Sequence, residues 1–340
     1  MLIRNAAPGV NLEAAAISEA VLGFAKSLSK EIGARGATCN VIADSSSPHM
    51  PGLKEACDAP MDWLLSHHSC YVTGQELTVT GHPEKPDDSS AILITGAARG
   101  IGRSTASMFA HLYPERALIL VDHPSAAPQL SALSESLGPQ THALPIDVTT
   151  ADAGKQLAGA GMSHSGFGVV AHAAGITRDK TLAKMCSKEH WAPVIDVNLR
   201  AVIDVDTALL ESAGALSSTG CGFVSFGSTS GIAGNAGQTN YASSKAGLMG
   251  YAKARAASLK VQGVTSPHRF HVVAPGFIVT EMTANMPFLV RTLGARLNAL
   301  GQGGQPDDVA AAVAFLASPS AAGLMPGSVL RVCGQFIGGR

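Results

Sequence analysis

The sequence predicts an α/β fold with a doubly wound parallel sheet, preceded by a shorter α/β unit. After residue 90, short apolar segments alternate with helical segments, which is typical of a parallel sheet covered by helices on both faces. A glycine-rich turn follows the first apolar segment. An internal repeat indicates that the shorter unit copies part of the longer one.

Seven apolar segments of the longer unit have the length of buried strands. Each is bounded by turn residues or by a segment of helical periodicity. Seven such strands suit one open sheet of the doubly wound type. The predicted strands are residues 91–95, 117–121, 142–146, 168–172, 222–226, 270–273 and 329–332.

The first 81 residues repeat the later part of the chain. Residues 23–26 (GFAK) match residues 250–253 (GYAK), 227 positions later. Further matches lie 253 positions apart, so the later copy has 26 additional residues. These matches pair Gly74, Leu77, Val79 and Gly81 with Gly327, Leu330, Val332 and Gly334. Chance similarity between two Ala/Gly-rich segments is the weaker explanation. We therefore divide the chain into residues 1–81, a polar, proline-containing linker at 82–90, and a domain at 91–340.

Composition and charge exclude several classes of protein. Hydrophobic residues make up 46% of the chain and charged residues 14%, so extended disorder is excluded. The 24 basic and 25 acidic side chains leave a formal net charge of -1. A global field that would attract nucleic acid or an anionic membrane is therefore absent, and neither is an expected partner.

The cysteines and the lack of long apolar segments indicate a cytoplasmic location. The cysteines form no C-x-x-C pair or zinc-type spacing, so we expect free thiols and no metal site. No apolar run approaches the roughly 18 residues of a membrane span. Arg4, Glu13 and Glu19 interrupt any secretory leader. The cysteines are Cys39, Cys57, Cys70, Cys186, Cys221 and Cys333.

Residues 95–102 (TGAARGIG) form a candidate phosphate-binding turn between a strand and a helix. Glycines there let the backbone approach a pyrophosphate at the helix N-terminus, as in Rossmann-like folds. Asp122 ends the next strand, where a carboxylate binds an adenosine ribose and repels a 2'-phosphate. NAD(H) is therefore favoured, while Arg99 and His123 keep NADP(H) possible. A simple turn role for Asp122 is the alternative.

Ser228, Tyr241 and Lys245 have a spacing that suits proton transfer. Ser228 precedes Tyr241 by 13 residues, and Lys245 follows Tyr241 by four, so the last two share a helical face. A neighbouring ammonium favours phenolate, so we expect Lys245 to lower the pKa of Tyr241 from about 10. Tyr241 would then protonate a carbonyl oxygen that Ser228 holds. The alternative is a buried, hydrogen-bonded tyrosine with an unrelated lysine.

Residues 88–340 resemble the short-chain dehydrogenase/reductase family. The T-G-x-x-x-G-x-G turn, the serine, the Y-x-x-x-K pair and the PGFIVT segment at 275–280 occur in the family's order. The resemblance implies that Ser228, Tyr241 and Lys245 are catalytic and that Asn198 organises a water-linked proton relay. From its own context, Asn198 could instead bridge neighbouring backbone. Ala173 and Ala174 replace the family's asparagine, which leaves local support of that strand in question.

The same resemblance implies a dinucleotide site at the carboxyl ends of the strands. Lys245 would also bind the nicotinamide ribose. The implied cofactor-binding residues are Gly96, Arg99, Gly100, Ile101, Gly102, Asp122, Asp147, Val148, Ala174, Gly175, Tyr241, Lys245, Pro275, Gly276, Ile278 and Thr280.

Within the family, the chain is similar to the high-molecular-weight 3-oxoacyl-[acyl-carrier-protein] reductases, in which a silent reductase-like unit precedes an active one. Segments 175–182, 231–240, 302–306 and 331–335 carry this likeness. It implies reduction of 3-oxoacyl thioesters of acyl carrier protein or coenzyme A to 3-hydroxyacyl thioesters with NADH. It also implies a homodimer or tetramer.

The repeat independently predicts that the degenerate first unit is catalytically silent. At the offset of 227 residues, Tyr241 and Lys245 correspond to Ala14 and Ser18. The first unit therefore has neither the phenol nor the ammonium.

Two further features bear on the substrate. The additional residues of the later copy supply a predicted apolar flap for an acyl chain, although simple packing is the alternative. Lys180, Lys184 and Lys188, spaced four apart, predict one basic helical face for an acidic carrier protein, or else a solvated surface. Another ketone or alcohol (a steroid or sugar), or a non-catalytic dinucleotide-binding subunit, remains an alternative. The flap residues are Met282, Met286, Phe288, Leu289, Leu297 and Leu300.

Overall fold

The N-terminal unit is a small parallel sheet with two helices. The computed structural model describes residues 2–5, 12–44, 53–81, 90–261, 268–280, 283 and 294–336. Three parallel strands lie in the order β1-β2-β3. The elements are β1 (Leu2–Asn5), α1 (Leu12–Gly33), β2 (Val41–Asp44), α2 (Leu53–Leu65) and β3 (Glu76–Val79).

The second unit contains the predicted doubly wound sheet, which confirms the fold class. All seven strands are parallel, in the order β10-β9-β8-β7-β4-β5-β6. Predicted and observed strand ends differ by at most two residues. The strands are β4 (Ala91–Thr95), β5 (Leu118–Asp122), β6 (Thr141–Pro145), β7 (Phe167–His172), β8 (Gly222–Phe226), β9 (Arg269–Pro275) and β10 (Val329–Val332).

Helices connect these strands and cover the sheet. Winding reverses between β4 and β7, so their carboxyl ends border the crevice where open α/β sheets bind ligands. The helices are α3 (Gly100–Leu112), α4 (Ala127–Leu137), α5 (Ala153–Met162), α6 (Ala192–Ile195), α7 (Ala201–Glu211), α8 (Thr229–Ala233), α9 (Thr239–Val261) and α10 (Pro306–Ala317).

Backbone hydrogen bonds of the two units repeat each other. The Gly74 amide donates to Cys39 O (2.8 Å), and the Gly327 amide donates to Phe270 O (2.9 Å). Both glycines have positive φ, 65° and 78°, which favours glycine at this turn. Among the described elements, the order β1-α1-β2-α2-β3 thus parallels β8-α9-β9-α10-β10, apart from the short helix α8 between β8 and α9. Linker residues 82–89 and the side chain of Ala14 lie outside the described residues, and the division into a silent and an active unit stays a prediction.

The N-terminal unit packs against α10 and the segment before β10. The rings of Trp63 and Phe315 stack with centroids 4.5 Å apart. The Met325 amide donates to Thr78 O (2.8 Å), and the Thr80 amide donates to Gly323 O (2.8 Å). Apolar residues of both units form one buried cluster. Removing water from this shared apolar surface is the main stabilisation we expect between the units.

The cysteines and the helices can be compared with the sequence predictions. All six cysteines are free thiols, as predicted. In the described segments, no helix is both long and apolar enough to cross a lipid bilayer.

Candidate active site

The glycine-rich turn leaves no room for side chains where it approaches β7. Gly96 has φ 68°, and a Cβ built there would lie 2.4 Å from Ala174 N. A Cβ on Gly102 would lie 2.0 Å from Gly96 O. Helix α3 begins at Gly100, so its free N-terminal amides lie beside the crevice. This cradle fits the pyrophosphate of a dinucleotide. Arg99 is exposed at the N-cap, and Ile101 is half-buried.

Asp122 connects the end of β5 to the glycine-rich turn. Its Oδ2 accepts a hydrogen bond from the Ala98 amide (2.8 Å), and its Oδ1 accepts one from the His123 amide (2.8 Å). Each carboxylate oxygen has a second lone pair, so these bonds leave capacity for a ribose hydroxyl. The turn role and the ribose role proposed for Asp122 are therefore compatible.

Asp147 and Val148 follow β6 at the same edge of the sheet. Asp147 Oδ1 accepts hydrogen bonds from the amide (2.9 Å) and hydroxyl (2.7 Å) of Thr149. His123 Nε2 lies 3.7 Å from Asp147 Oδ2. Burial raises the pKa of Asp147, but the bonds from Thr149 and the nearby His123 outweigh it and lower the pKa overall. Asp147 is therefore a carboxylate at neutral pH.

Ser228, Tyr241 and Lys245 come together beside the carboxyl end of β8. Ser228 caps α8, where its Oγ accepts from the Ser230 amide (3.1 Å), and its side chain also hydrogen-bonds the Tyr241 hydroxyl. Lys245 Nζ donates to Phe226 O (2.7 Å) and lies 5.6 Å from the centroid of the Tyr241 ring. The two residues of α9 thus share one face of the helix.

The protonation of this group differs from the sequence expectation. Burial raises the pKa of Tyr241, and the hydrogen bond with Ser228 only partly opposes this. Burial also lowers the pKa of Lys245 to about 8. The prediction that Lys245 lowers the pKa of the Tyr241 phenol is wrong for the chain without its cofactor. Burial has the largest effect on that pKa and raises it, and the Lys245 ammonium donates its hydrogen bond to Phe226 O. A protonated phenol is the form that a proton donor requires.

Asn198 braces the segment that follows β7. It lies in a π-helical turn, Asp196–Arg200, with a fully buried side chain. Its Oδ1 accepts from the Ile176 amide (2.8 Å), while its Nδ2 donates to Ile176 O (3.0 Å) and Ser244 Oγ (3.1 Å). These hydrogen bonds are the ones expected if Asn198 bridges neighbouring backbone, which was the alternative to its role in a proton relay. The water relay stays a prediction.

Gly175 lies between Asn198 and Lys245, the predicted catalytic lysine. A Cβ built on Gly175 would lie 3.3 Å from Asn198 Oδ1 and 3.4 Å from Lys245 Nζ. The turn after β7 is therefore close to the predicted catalytic group, as a site that joins dinucleotide and substrate requires.

His172 supplies support for β7 that the sequence reasoning missed. Its Nε2 lies 2.7 Å from Asp206 Oδ1, with both side chains buried. The Tyr251 hydroxyl donates to Asp206 Oδ2 (3.0 Å). This network ties the end of β7 to α7 and α9 where the family's asparagine is missing. A histidine ending an apolar strand and an aspartate within an apolar helix were the available signal.

The PGFIVT segment begins at the last residue of β9. Pro275 ends the strand, and a Cβ on Gly276 would lie 2.6 Å from Cys333 Cβ. Ile278 is buried, and the Thr280 amide donates to Thr283 Oγ1 (2.9 Å). The predicted cofactor-binding residues of this segment thus lie at the same edge of the sheet as the glycine-rich turn.

The predicted basic face is wrong as a helical feature. Lys184 ends a 3-10 helix, Leu182–Lys184, and Lys188 lies in a separate π-helix, Ser187–Trp191. Lys180 precedes both in an isolated bridge with Gln238. Residues spaced four apart lie on one face only if they belong to one continuous helix. Here the backbone changes conformation between Lys184 and Lys188, so the lysines do not share a helical face. All three side chains are exposed.

The predicted flap is only partly described. Met282, Met286, Phe288 and Leu289 lie outside the described residues. Leu297 is 41% exposed, and Leu300 packs on the main buried cluster.

The sheet order, glycine-rich turn and Ser-Tyr-Lys arrangement define a class of dinucleotide-dependent oxidoreductase. The chain belongs to the short-chain dehydrogenase/reductase family. A family model described as Enoyl-(Acyl carrier protein) reductase matches residues 96–334. The chain is accordingly an oxidoreductase, and its cofactor is a nicotinamide dinucleotide.

Individual relatives carry a more specific name. The chain is 34% identical over 248 residues to 3-oxoacyl-[acyl-carrier-protein] reductase FabG of Vibrio cholerae, covering 73% of this chain and 97% of the relative. It is 35% identical to the protein of the same name from Vibrio harveyi (71% and 95% coverage). The Thermotoga maritima protein of that name is 34% identical (74% and 98% coverage).

Proposed function

We propose that the chain reduces 3-oxoacyl thioesters to 3-hydroxyacyl thioesters with NADH. The convergence of Ser228, Tyr241 and Lys245 beside Gly175 carries the proposal, because it puts a proton donor next to the predicted nicotinamide position. The printed names of the FabG relatives support the choice of substrate class.

Each side chain of the group has a distinct part in the proposed reaction. The dinucleotide supplies the hydride that reaches the ketone carbon. The Ser228 hydroxyl holds the ketone oxygen, and the Tyr241 hydroxyl transfers its proton to that oxygen. The Lys245 ammonium does not outweigh the effect of burial on the Tyr241 pKa, but it lies near the ring and partly offsets negative charge that develops on the phenol oxygen as the proton leaves. Asn198 acts at a distance by fixing the backbone of Ile176.

We propose NADH over NADPH because of Asp122. A carboxylate at the end of β5 repels a ribose 2'-phosphate, and its contact with Ala98 holds it next to the glycine-rich turn. Exposed Arg99 and His123 partly offset this repulsion.

Steady-state reduction of acetoacetyl-coenzyme A tests this function and its cofactor. We expect kcat/KM at least about tenfold higher with NADH than with NADPH, and Asp122→Ser to remove most of that difference by removing the repelling charge. Asp152→Ser is the matched control, because it removes one exposed carboxylate elsewhere and should leave the preference for NADH unchanged. A wild-type preference for NADPH would contradict the cofactor proposal, and absence of turnover with both would contradict the activity.

The pH dependence of the reaction follows from Lys245. Its pKa of about 8 means that the ammonium is present below that pH and is lost above it. We expect kcat/KM for the dinucleotide, which reports groups of the free enzyme, to fall as the pH rises through about 8. A profile that stays flat up to about pH 9.5 would rule out this role for the charge.

The proposed function also includes an acyl carrier protein as partner and a homo-oligomeric state. Lys180, Lys184 and Lys188 are proposed to attract an acidic carrier protein as exposed charges of one segment, without a shared helix. We further propose a cytoplasmic homodimer or tetramer in which residues 1–81 are catalytically silent.

A further inference from the structure

We propose that Tyr71, in the N-terminal unit, is a positioning residue for the dinucleotide-binding segment 276–280. The proposal rests on the proposed function, because the importance of this segment depends on dinucleotide binding there. According to this proposal, the N-terminal unit directly influences the affinity of the second unit for the dinucleotide.

The Tyr71 side chain holds a loop of the second unit. Tyr71 is 2% exposed. Its hydroxyl donates to Gln302 O (2.9 Å) and accepts from Asn298 Nδ2 (3.3 Å). Burial raises the pKa of Tyr71 well above its usual range, so the hydroxyl stays a donor at neutral pH. The 298–302 loop is thereby fixed from the side of the N-terminal unit.

Asn298 completes this set of hydrogen bonds. Its Nδ2 also donates to Gln302 O (2.8 Å), and its Oδ1 accepts from the Leu300 amide (3.0 Å). Because the Tyr71 hydroxyl and Asn298 share one carbonyl as acceptor, loss of the hydroxyl changes the bonding of the whole loop.

The same tyrosine ring lies against the residue that pairs with the dinucleotide-binding segment. A Cβ built on Gly304 would lie 2.5 Å from Tyr71 Cδ1, so only glycine permits this approach. The Gly304 amide donates to Phe277 O (3.0 Å), and the Val279 amide donates to Gly304 O (2.8 Å). Gly304 therefore joins Tyr71 to both sides of Ile278, a predicted cofactor-binding residue.

Other contacts of the N-terminal unit reach different parts of the second unit. Trp63 stacks on Phe315 of α10, and Gln75 Oε1 accepts from Arg331 Nε of β10 (2.8 Å). These contacts hold the two units together, whereas the side-chain contacts of Tyr71 continue to segment 276–280. The two kinds of contact can therefore be tested separately.

Tyr71→Phe in the full chain tests the inference, because it removes the hydroxyl and keeps the ring. We expect the Kd for NADH, measured by fluorescence titration, to rise about three- to tenfold, as loss of one buried hydrogen bond predicts. The KM for NADH should rise with it while kcat stays within about twofold. Hydrogen exchange should become faster in peptides containing the Val279 and Gly304 amides.

Two matched variants separate positioning from general loosening. Tyr113→Phe removes a hydroxyl from a half-buried tyrosine elsewhere, and Gln75→Ala weakens the contact between the units at β10. Neither should change the Kd or the exchange at Val279. Asn298→Ala, which breaks the same loop from its own side, should reproduce the effect of Tyr71→Phe and replaces it if that variant does not fold.

The outcomes distinguish this inference from the proposed function. If wild type binds NADH and neither Tyr71→Phe nor Asn298→Ala changes the Kd or the exchange, the inference is overturned and the proposed function stands. If Gln75→Ala has the same effect as Tyr71→Phe, the specific path through Gly304 is overturned. If wild type binds no dinucleotide, the proposed function fails and this inference fails with it.

Discussion

Tyr241→Phe is expected to lower kcat for thioester reduction by about a thousandfold or more, because it removes the hydroxyl that hydrogen-bonds Ser228 and that we propose as the proton donor. Positioned general acids contribute roughly two to four orders of magnitude. The phenol stays protonated because burial raises its pKa. The measurement is the steady-state kcat for acetoacetyl-coenzyme A at saturating NADH.

The same variant distinguishes an enzyme from a dinucleotide-binding scaffold. Tyr241→Phe changes one of the predicted cofactor-binding residues but leaves the glycine-rich turn and Asp122 intact, so the Kd for NADH should stay within a few fold of wild type. Tyr113→Phe should retain full turnover. Turnover of Tyr241→Phe within about tenfold of wild type would contradict the assignment of Tyr241 as proton donor.

His172→Ala is expected to lower the free energy of unfolding by about 3–5 kcal/mol, because it leaves the buried Asp206 carboxylate without its imidazole partner. The remaining Tyr251 hydroxyl satisfies only one of the two oxygens. A loss of this size is among the largest expected from one substitution. Urea denaturation at neutral pH measures it.

A double-mutant cycle tests whether the loss comes from this pair. Asp206→Ala removes the charge that His172→Ala would leave unpaired, so the double variant should be more stable than the sum of the single losses predicts, by about 1–3 kcal/mol. Tyr251→Phe should cost about 1 kcal/mol, as for one hydrogen bond. Additive losses for His172 and Asp206 would show that the pair does not support β7 through this contact.

The sheet could be predicted from sequence because its central strands are short and apolar between helical segments. β4 and β8 were predicted to the residue and are buried throughout. The ends of β6 and β9 shifted by one or two residues, because pairing with neighbouring strands sets them. The shared helical face of Tyr241 and Lys245 could also be predicted, because residues four apart in a helix lie on the same side of it.

Features that depend on burial or distant contacts could not be predicted in this way. The direction of the Tyr241 pKa shift depends on how deeply the fold buries its hydroxyl. The lysine spacing predicted one helix where the backbone changes conformation. Tyr71 contacts Gln302 across 231 positions in the chain, and no local pattern marks such a pair.

If the proposed function is correct, the chain transfers hydride from a nicotinamide to a 3-oxoacyl thioester while Tyr241 supplies the proton. Incubation with acetoacetyl-coenzyme A and NADH or NADPH carrying two deuterium atoms at C4 of the nicotinamide tests it by mass spectrometry of the product. We predict a 3-hydroxybutyryl thioester one mass unit heavier than that formed with unlabelled cofactor, and almost none with Tyr241→Phe. Absence of product with both cofactors, or product without deuterium, would contradict the claim.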